Sequence, residues 1–224
     1  MNLLTRLNDY HSSIIQNRWH WLFYLFCRIS LAYAFIAAGI VKIAGERFAS
    51  GLSVLHPMGA YLDALHQTGY YYTFIGIAQI LAAVLLLIPR SVTLGALLYL
   101  PIITNIWILS YAVRFEGSFL TSPLMVLANL YILAYNFDKI KLLLPIKGIT
   151  SSETTHKPTT YNNRFPFKFF IGVFSTIIFL LLFALFGHDV MPRNSLKDCN
   201  TQFTNTKNQA SGYEFCKCIH SKGK

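Results

Sequence analysis

Between Tyr71 and Val113 two long apolar segments are separated only by Pro89, Arg90 and Ser91, and neither segment contains a charged residue. Uncharged apolar runs of about 18 residues or more cross the hydrocarbon layer of a bilayer as helices. So short a link cannot bridge distant neighbours, so the two helices must return antiparallel. Pro89 ends the first helix, and Arg90 places a fixed cation at the surface, among lipid phosphates. This pattern predicts a membrane hairpin.

The rest of the chain agrees with that solvent. Its 224 residues are 54% hydrophobic and only 12% charged, a shortage of charge that soluble folding would turn into exposed oil. The formal balance of +10 resides in short loops and tails beside apolar spans, not in a stripe on a polar domain. Anionic lipid headgroups are the partners this distribution fits, and nucleic acid is not expected. Arg6, Asp9, His11 and Arg18 delay the first apolar run, so no cleaved signal peptide is read and the first span is retained.

The predicted fold is an all-α membrane protein: a four-helix transmembrane bundle, a fifth transmembrane helix and a small cysteine-containing extracytoplasmic helical tail. Residues 1–20 form an interfacial amino-terminal segment, with Leu3, Leu4, Leu7, Ile14 and Ile15 at helical intervals. Residues 21–137 form the four-span core, 138–168 a basic linker, 169–187 the fifth span and 188–224 the tail.

Arg28 lies one or two turns inside the first span. It either snorkels back to surface phosphates or is a buried charge that needs an anionic or strongly accepting partner, and no span supplies a carboxylate. After Lys42, Glu46 and Arg47, the segment through Gln67 spaces Leu52, Leu55, Met58, Leu62 and Leu65 along one face. It should lie on the membrane surface or dip back against the bundle. His56, Asp63 and His66 ride on it as a solvated face rather than a metal site. Gln79 in the second span and Asn105 in the third are amides that hydrocarbon cannot satisfy, so they should face each other or Arg28, as interhelical glue or as ligand contacts. Pro101 and Tyr99 lie near Asn105, and Asn129 is the polar residue of the fourth span.

Cations near the span ends set the orientation. With the amino terminus inside, the cytoplasm holds Arg6, Arg18, Arg90 and the six linker cations, against Lys42, Arg47 and Arg114 outside. Five spans then place the tail in the periplasm of a bacterial inner membrane. There a disulfide from Cys199 to Cys216 or Cys218 would clip a helical hairpin too small to hold itself, with a capping box at Ser211 and Glu214 opening its second helix. Cys199, Cys216, Cys218 and His220 as a metal site is the alternative reading. No nucleotide loop, nucleophile elbow or covalent haem motif is present, and no catalytic set is named.

In the first four spans, Arg28, Gly39 and Lys42, the Gln79-Ile80 pair and the Pro89-Arg90-Ser91 turn resemble the DoxX family of small bacterial and archaeal membrane proteins. The likeness runs from about Arg28 to Phe137. It implies a four-helix membrane core in a subunit linked to quinone and thiol redox chemistry. Gln79 stands where that family usually carries glutamate, so this chain departs from it at that position. From the resemblance and the polar residues together, a site for a quinone-like or lipid ligand is expected at Arg28, Lys42, Gln79, Tyr99 and Asn105, with no cofactor named beyond quinone as a candidate, and with membrane lipids and other membrane or periplasmic proteins as partners. The alternative is a non-enzymatic assembly subunit whose clipped tail docks on a partner protein.

Overall fold

The computed structural model describes residues 11–52, 54, 56–113, 115–141, 160–186, 196, 199–200, 203–205 and 208–221. Leu3, Leu4 and Leu7 of the expected surface helix, Leu55, Arg114, linker residues 142–159 and the side chains of Ile219 and His220 lie outside the described residues. The chain divides into two compact units, Met1–Gly172 and Val173–Lys224.

The helices are α1 (Arg18–Ile43), α2 (Pro57–Gln67), α3 (Tyr70–Leu87), α4 (Val92–Ala112), α5 (Glu116–Phe119), α6 (Thr121–Tyr135), α7 (Phe137–Lys141), α8 (Phe167–Phe186) and α9 (Gln209–Ser221). Among the described residues, five stretches are long and apolar enough to cross a membrane: α1, α3, α4, Gly117–Tyr135 and α8. This is a multi-pass, all-α membrane protein. Large apolar side chains point outward from the bundle, with Phe26 and Phe74 each 63% exposed and Ile108 62%. Such a surface is favourable in a lipid solvent and unfavourable in water.

In the first unit α1, α3, α4 and α6 close a four-helix ring in which each packs on the next and α6 returns to α1. The buried face of α3 carries Tyr72, Gly76, Gln79, Ala83 and Leu86, at the spacing of three and four that a helix needs to aim one stripe inward. Gly39 of α1 and Gly76 of α3 meet backbone to backbone. A Cβ added at Gly39 would lie 2.9 Å from the Gly76 carbonyl oxygen, and one at Gly76 would lie 2.9 Å from that of Gly39. Glycines let two membrane helices approach this closely, and dispersion holds them there.

The amino-terminal end of α1 is tied by polar contacts. Asn17 accepts from the backbone N–H groups of Trp19 at 2.9 Å and His20 at 3.3 Å, capping the helix. Its amide donates to the Arg164 carbonyl at 2.8 Å, and Asn162 pairs with the backbone on both sides of Asn17. The far end of the linker therefore returns to the start of the first span, which sequence reasoning missed. Phe169, in the first turn of α8, packs its ring on His20, Phe23 and Tyr131. None of the residues of α8 is buried.

In the second unit Cys199 and Cys216 are joined by a disulfide, one of the two pairings expected, while Cys218 is exposed on α9. The expected capping box is displaced. Helix α9 starts at Gln209, so Ser211 lies in its first turn instead of ahead of it. The Gly212 N–H already donates to Asn208 O at 2.9 Å, and the Gln209 amide donates to the Tyr213 hydroxyl at 2.7 Å. Asparagine is as good a start signal as serine and comes earlier in the chain.

Candidate functional site

A cavity of about 710 Å³ lies at the end of the bundle away from the 88–91 turn. On α3 its lining runs from Tyr71 to Gln79, and on α4 from Pro101 to Leu109. The walls are mostly apolar, with Ala34, Phe35, Ala38, Ala78 and Met125 among them. Exposed members at Tyr71, Phe74, Pro101 and Asn105 give it an opening between the two legs of the hairpin, and Tyr61, Gly117 and Thr121 are exposed members elsewhere on its rim. Helix α2 contributes Met58, Tyr61, Leu62 and Leu65.

That placement decides where the amphipathic segment goes. Met58, Gly59 and Leu62 are buried, so α2 turns its apolar face onto the bundle instead of lying free on the surface. Its polar residues hold it there. His56 caps α2 by accepting from Met58 N at 3.1 Å, His66 donates to Gly45 O at 2.9 Å, and Asp63 lies 3.8 Å from Arg47. Tyr72 locks the intervening loop by donating to Glu46 O at 2.8 Å and accepting from Phe48 N at 2.7 Å. Each of the three residues weighed as metal ligands thus has a structural partner.

Two polar groups stand out in the cavity lining. The Lys42 ammonium is buried, donates to Ala38 O at 3.1 Å and sits 4.4 Å from the centre of the Phe48 ring. No carboxylate pairs with it among the described residues. Gln79 is 2% exposed, and its Oε1 accepts no hydrogen bond among the described residues. The two belong to one crossing, since a Cβ at Gly76 would lie 2.8 Å from Cβ of Lys42, and Gln79 follows Gly76 by one helical turn.

The five residues expected in one site separate into two places. Lys42, Gln79 and Asn105 line the cavity, whereas Arg28 and Tyr99 do not. Arg28 is buried and donates from Nε to Leu86 O at 2.8 Å and from Nη2 to Leu87 O at 2.9 Å, with its guanidinium 5.3 Å from the centre of the Tyr24 ring. Its partners are thus the carbonyl-rich end of α3, where the helix dipole is negative and the last oxygens lack helical donors. The guanidinium is spent on backbone oxygens, so neither expected partner of the two amides, each other or Arg28, is found among the described residues. Tyr99 donates to Leu31 O at 3.3 Å and stacks on Phe35, whose ring centroid is 3.5 Å away. It backs the cavity wall through Phe35. Asn105 is exposed at the mouth, and no hydrogen bond joins it to Gln79.

Sequence reasoning missed Gly76, Phe48 and the whole contribution of α2 to this site. Gly76 alone left a signal, a lone glycine one turn before the only amide of an apolar span.

Comparison with known proteins finds a relative of substantial likeness. Over 105 residues the chain is 36% identical to a protein of Bacillus subtilis (strain 168) described as "Uncharacterized protein YwoB", a stretch covering 45% of this chain and 68% of that protein. No family model matches the chain. No solved structure matches it either.

Proposed function

We propose, from the premise that this chain belongs to the family of the Bacillus subtilis protein YwoB, that it is a DoxX-like subunit of a membrane complex whose four-helix core holds a lipid-soluble ligand. The observation that carries this reading is the cavity, in whose lining a buried lysine has no carboxylate and a buried glutamine oxygen no donor among the described residues. Buried polar groups in a packed membrane core are normally paired, and a lysine lacking a counter-charge beside a glutamine oxygen lacking a donor, in one mostly apolar lining, fit a ligand that supplies both. Quinone is the redox ligand that the DoxX resemblance implies. Mass spectrometry of solvent extracts from protein purified in mild detergent should find a stoichiometric lipid-soluble compound, lost when Ala78→Phe fills the cavity. An empty extract from a protein of undiminished stability would end this reading.

A second reading, an assembly subunit, draws support from Arg28 and Tyr99, two of the five expected site residues, which serve helix packing instead. For this reading, a defined complex should co-purify from native membranes and survive Ala78→Phe. In either case the cation distribution favours a bacterial inner membrane with the amino terminus in the cytoplasm and the clipped tail in the periplasm.

A further inference from the structure

We infer that the cavity takes an acyl lipid whose head carries both a negative charge and a hydroxyl, the charge meeting the Lys42 ammonium and the hydroxyl donating to Gln79 Oε1. The inference rests on the cavity being a ligand site, as proposed above, and adds the chemistry of what fills it.

The ammonium has three donors, and the described structure uses one, toward the neutral Ala38 carbonyl. The Phe48 ring over it supplies a weak quadrupole, not a counter-charge. A cation buried beside the Phe48 and Tyr72 rings, with no anion among the described residues, is costly, and an anionic head would remove that cost. Charge alone does not satisfy the lining. Gln79 Oε1 needs a donor, which neither a bare carboxylate nor a quinone carbonyl can offer. One helical turn separates Gln79 from the Gly76 contact with Lys42, so a short head bearing both groups can reach the two. The mouth then decides between a lipid and a soluble anion. Tyr71, Phe74 and Pro101 are exposed at it on faces of α3 and α4 that lipid surrounds, so acyl chains can leave the cavity directly into the bilayer.

The test uses the full chain in neutral detergent, with native mass spectrometry and thermal unfolding as readouts. Phosphatidylglycerol should be retained about tenfold better than phosphatidylcholine and should raise the unfolding midpoint more. Phosphatidylmethanol, an anion without the hydroxyl, should fall between them, and free glycerol 3-phosphate should have little effect. Lys42→Met should abolish the preference for phosphatidylglycerol while Lys42→Arg keeps it, and Gln79→Leu should make phosphatidylglycerol and phosphatidylmethanol equal. If Lys42→Met fails to fold, the comparison of lipids on the unmodified chain and on Lys42→Arg still decides. Equal retention of phosphatidylglycerol and phosphatidylcholine by the unmodified chain overturns the inference, as does full activity of free glycerol 3-phosphate. Retention of a quinone in place of any phospholipid, abolished by Ala78→Phe, overturns it while leaving the cavity a ligand site. No response to any of these compounds, with Ala78→Phe indistinguishable from the parent, sinks both readings.

Discussion

Arg28 shows how one cation can be kept inside a membrane bundle without a carboxylate. Its two donated bonds end on Leu86 and Leu87, the last carbonyls of α3, and Ser91 adds a third donor by reaching Leu85 O at 3.0 Å. Replacing Arg28 by methionine keeps the stem but takes the donors from a buried oxygen at Leu86 and a partly buried one at Leu87, and should lower bundle stability by about 1–2 kcal/mol. Lysine at this position should recover only part, because an ammonium cannot fork between two carbonyls from a planar group. Thermal unfolding in detergent checks both, and an Arg28→Lys variant as stable as the parent would show that charge alone sufficed. That Arg28 needed a strong acceptor was legible in the sequence, since a guanidinium in an apolar run has few other options. Which acceptor it found was not, because helix-end oxygens belong to the backbone and leave no residue type to read.

At the scale of helices, the crossing of α1 and α3 depends on hydrogen atoms where other residues carry carbon. Alanine at Gly39 or Gly76 would press a methyl against a backbone oxygen 2.9 Å away, and a helix backbone cannot step aside. Each substitution should therefore destabilise the protein by about 1–3 kcal/mol, the usual cost of overpacking, as read from thermal unfolding in detergent. The double variant should cost less than the sum, since the first methyl already parts the helices that the second would push. Alanine at Gly172, where an added Cβ meets nothing within 4 Å, serves as the neutral control. The spans themselves were readable because some twenty uncharged residues in a row admit few alternatives: the hairpin expected between Tyr71 and Val113 is α3 and α4, joined through Pro89, Arg90 and Ser91. The seat of α2 was only half readable. Its leucines and Met58 announced a greasy face, but whether that face met lipid or protein depended on the space left between helices that are distant in sequence.

For the molecule as a whole, the two units should respond differently to reductant. The bridge from Cys199 to Cys216 spans 17 residues, and closing such a loop stabilises a small domain by about 3 kcal/mol. Reduction, or Cys199→Ser, should make residues 199–221 sensitive to protease while the unfolding midpoint of the four-helix core stays unchanged. A core that softens in step would show that the two units are energetically coupled. Alkaline phosphatase fused after Lys224 should be active and fused after Lys141 inactive, if the cation count has set the orientation. The tail pairing was narrowed by sequence to two choices by taking Cys199 as one partner, since a bridge between Cys216 and Cys218 would clip nothing; geometry had to select between Cys216 and Cys218. The seam joining Gln16, Asn17, Arg18 and Trp19 to Asn162, Asn163 and Arg164 carries its own lesson about timing. Asn17 waits for a partner that lies 147 residues further along the chain. Until translation passes Arg164, the Asn17 amide and the Trp19 indole lack these partners, so a nascent chain halted before that point would carry an unfinished seam, open to quality-control proteases.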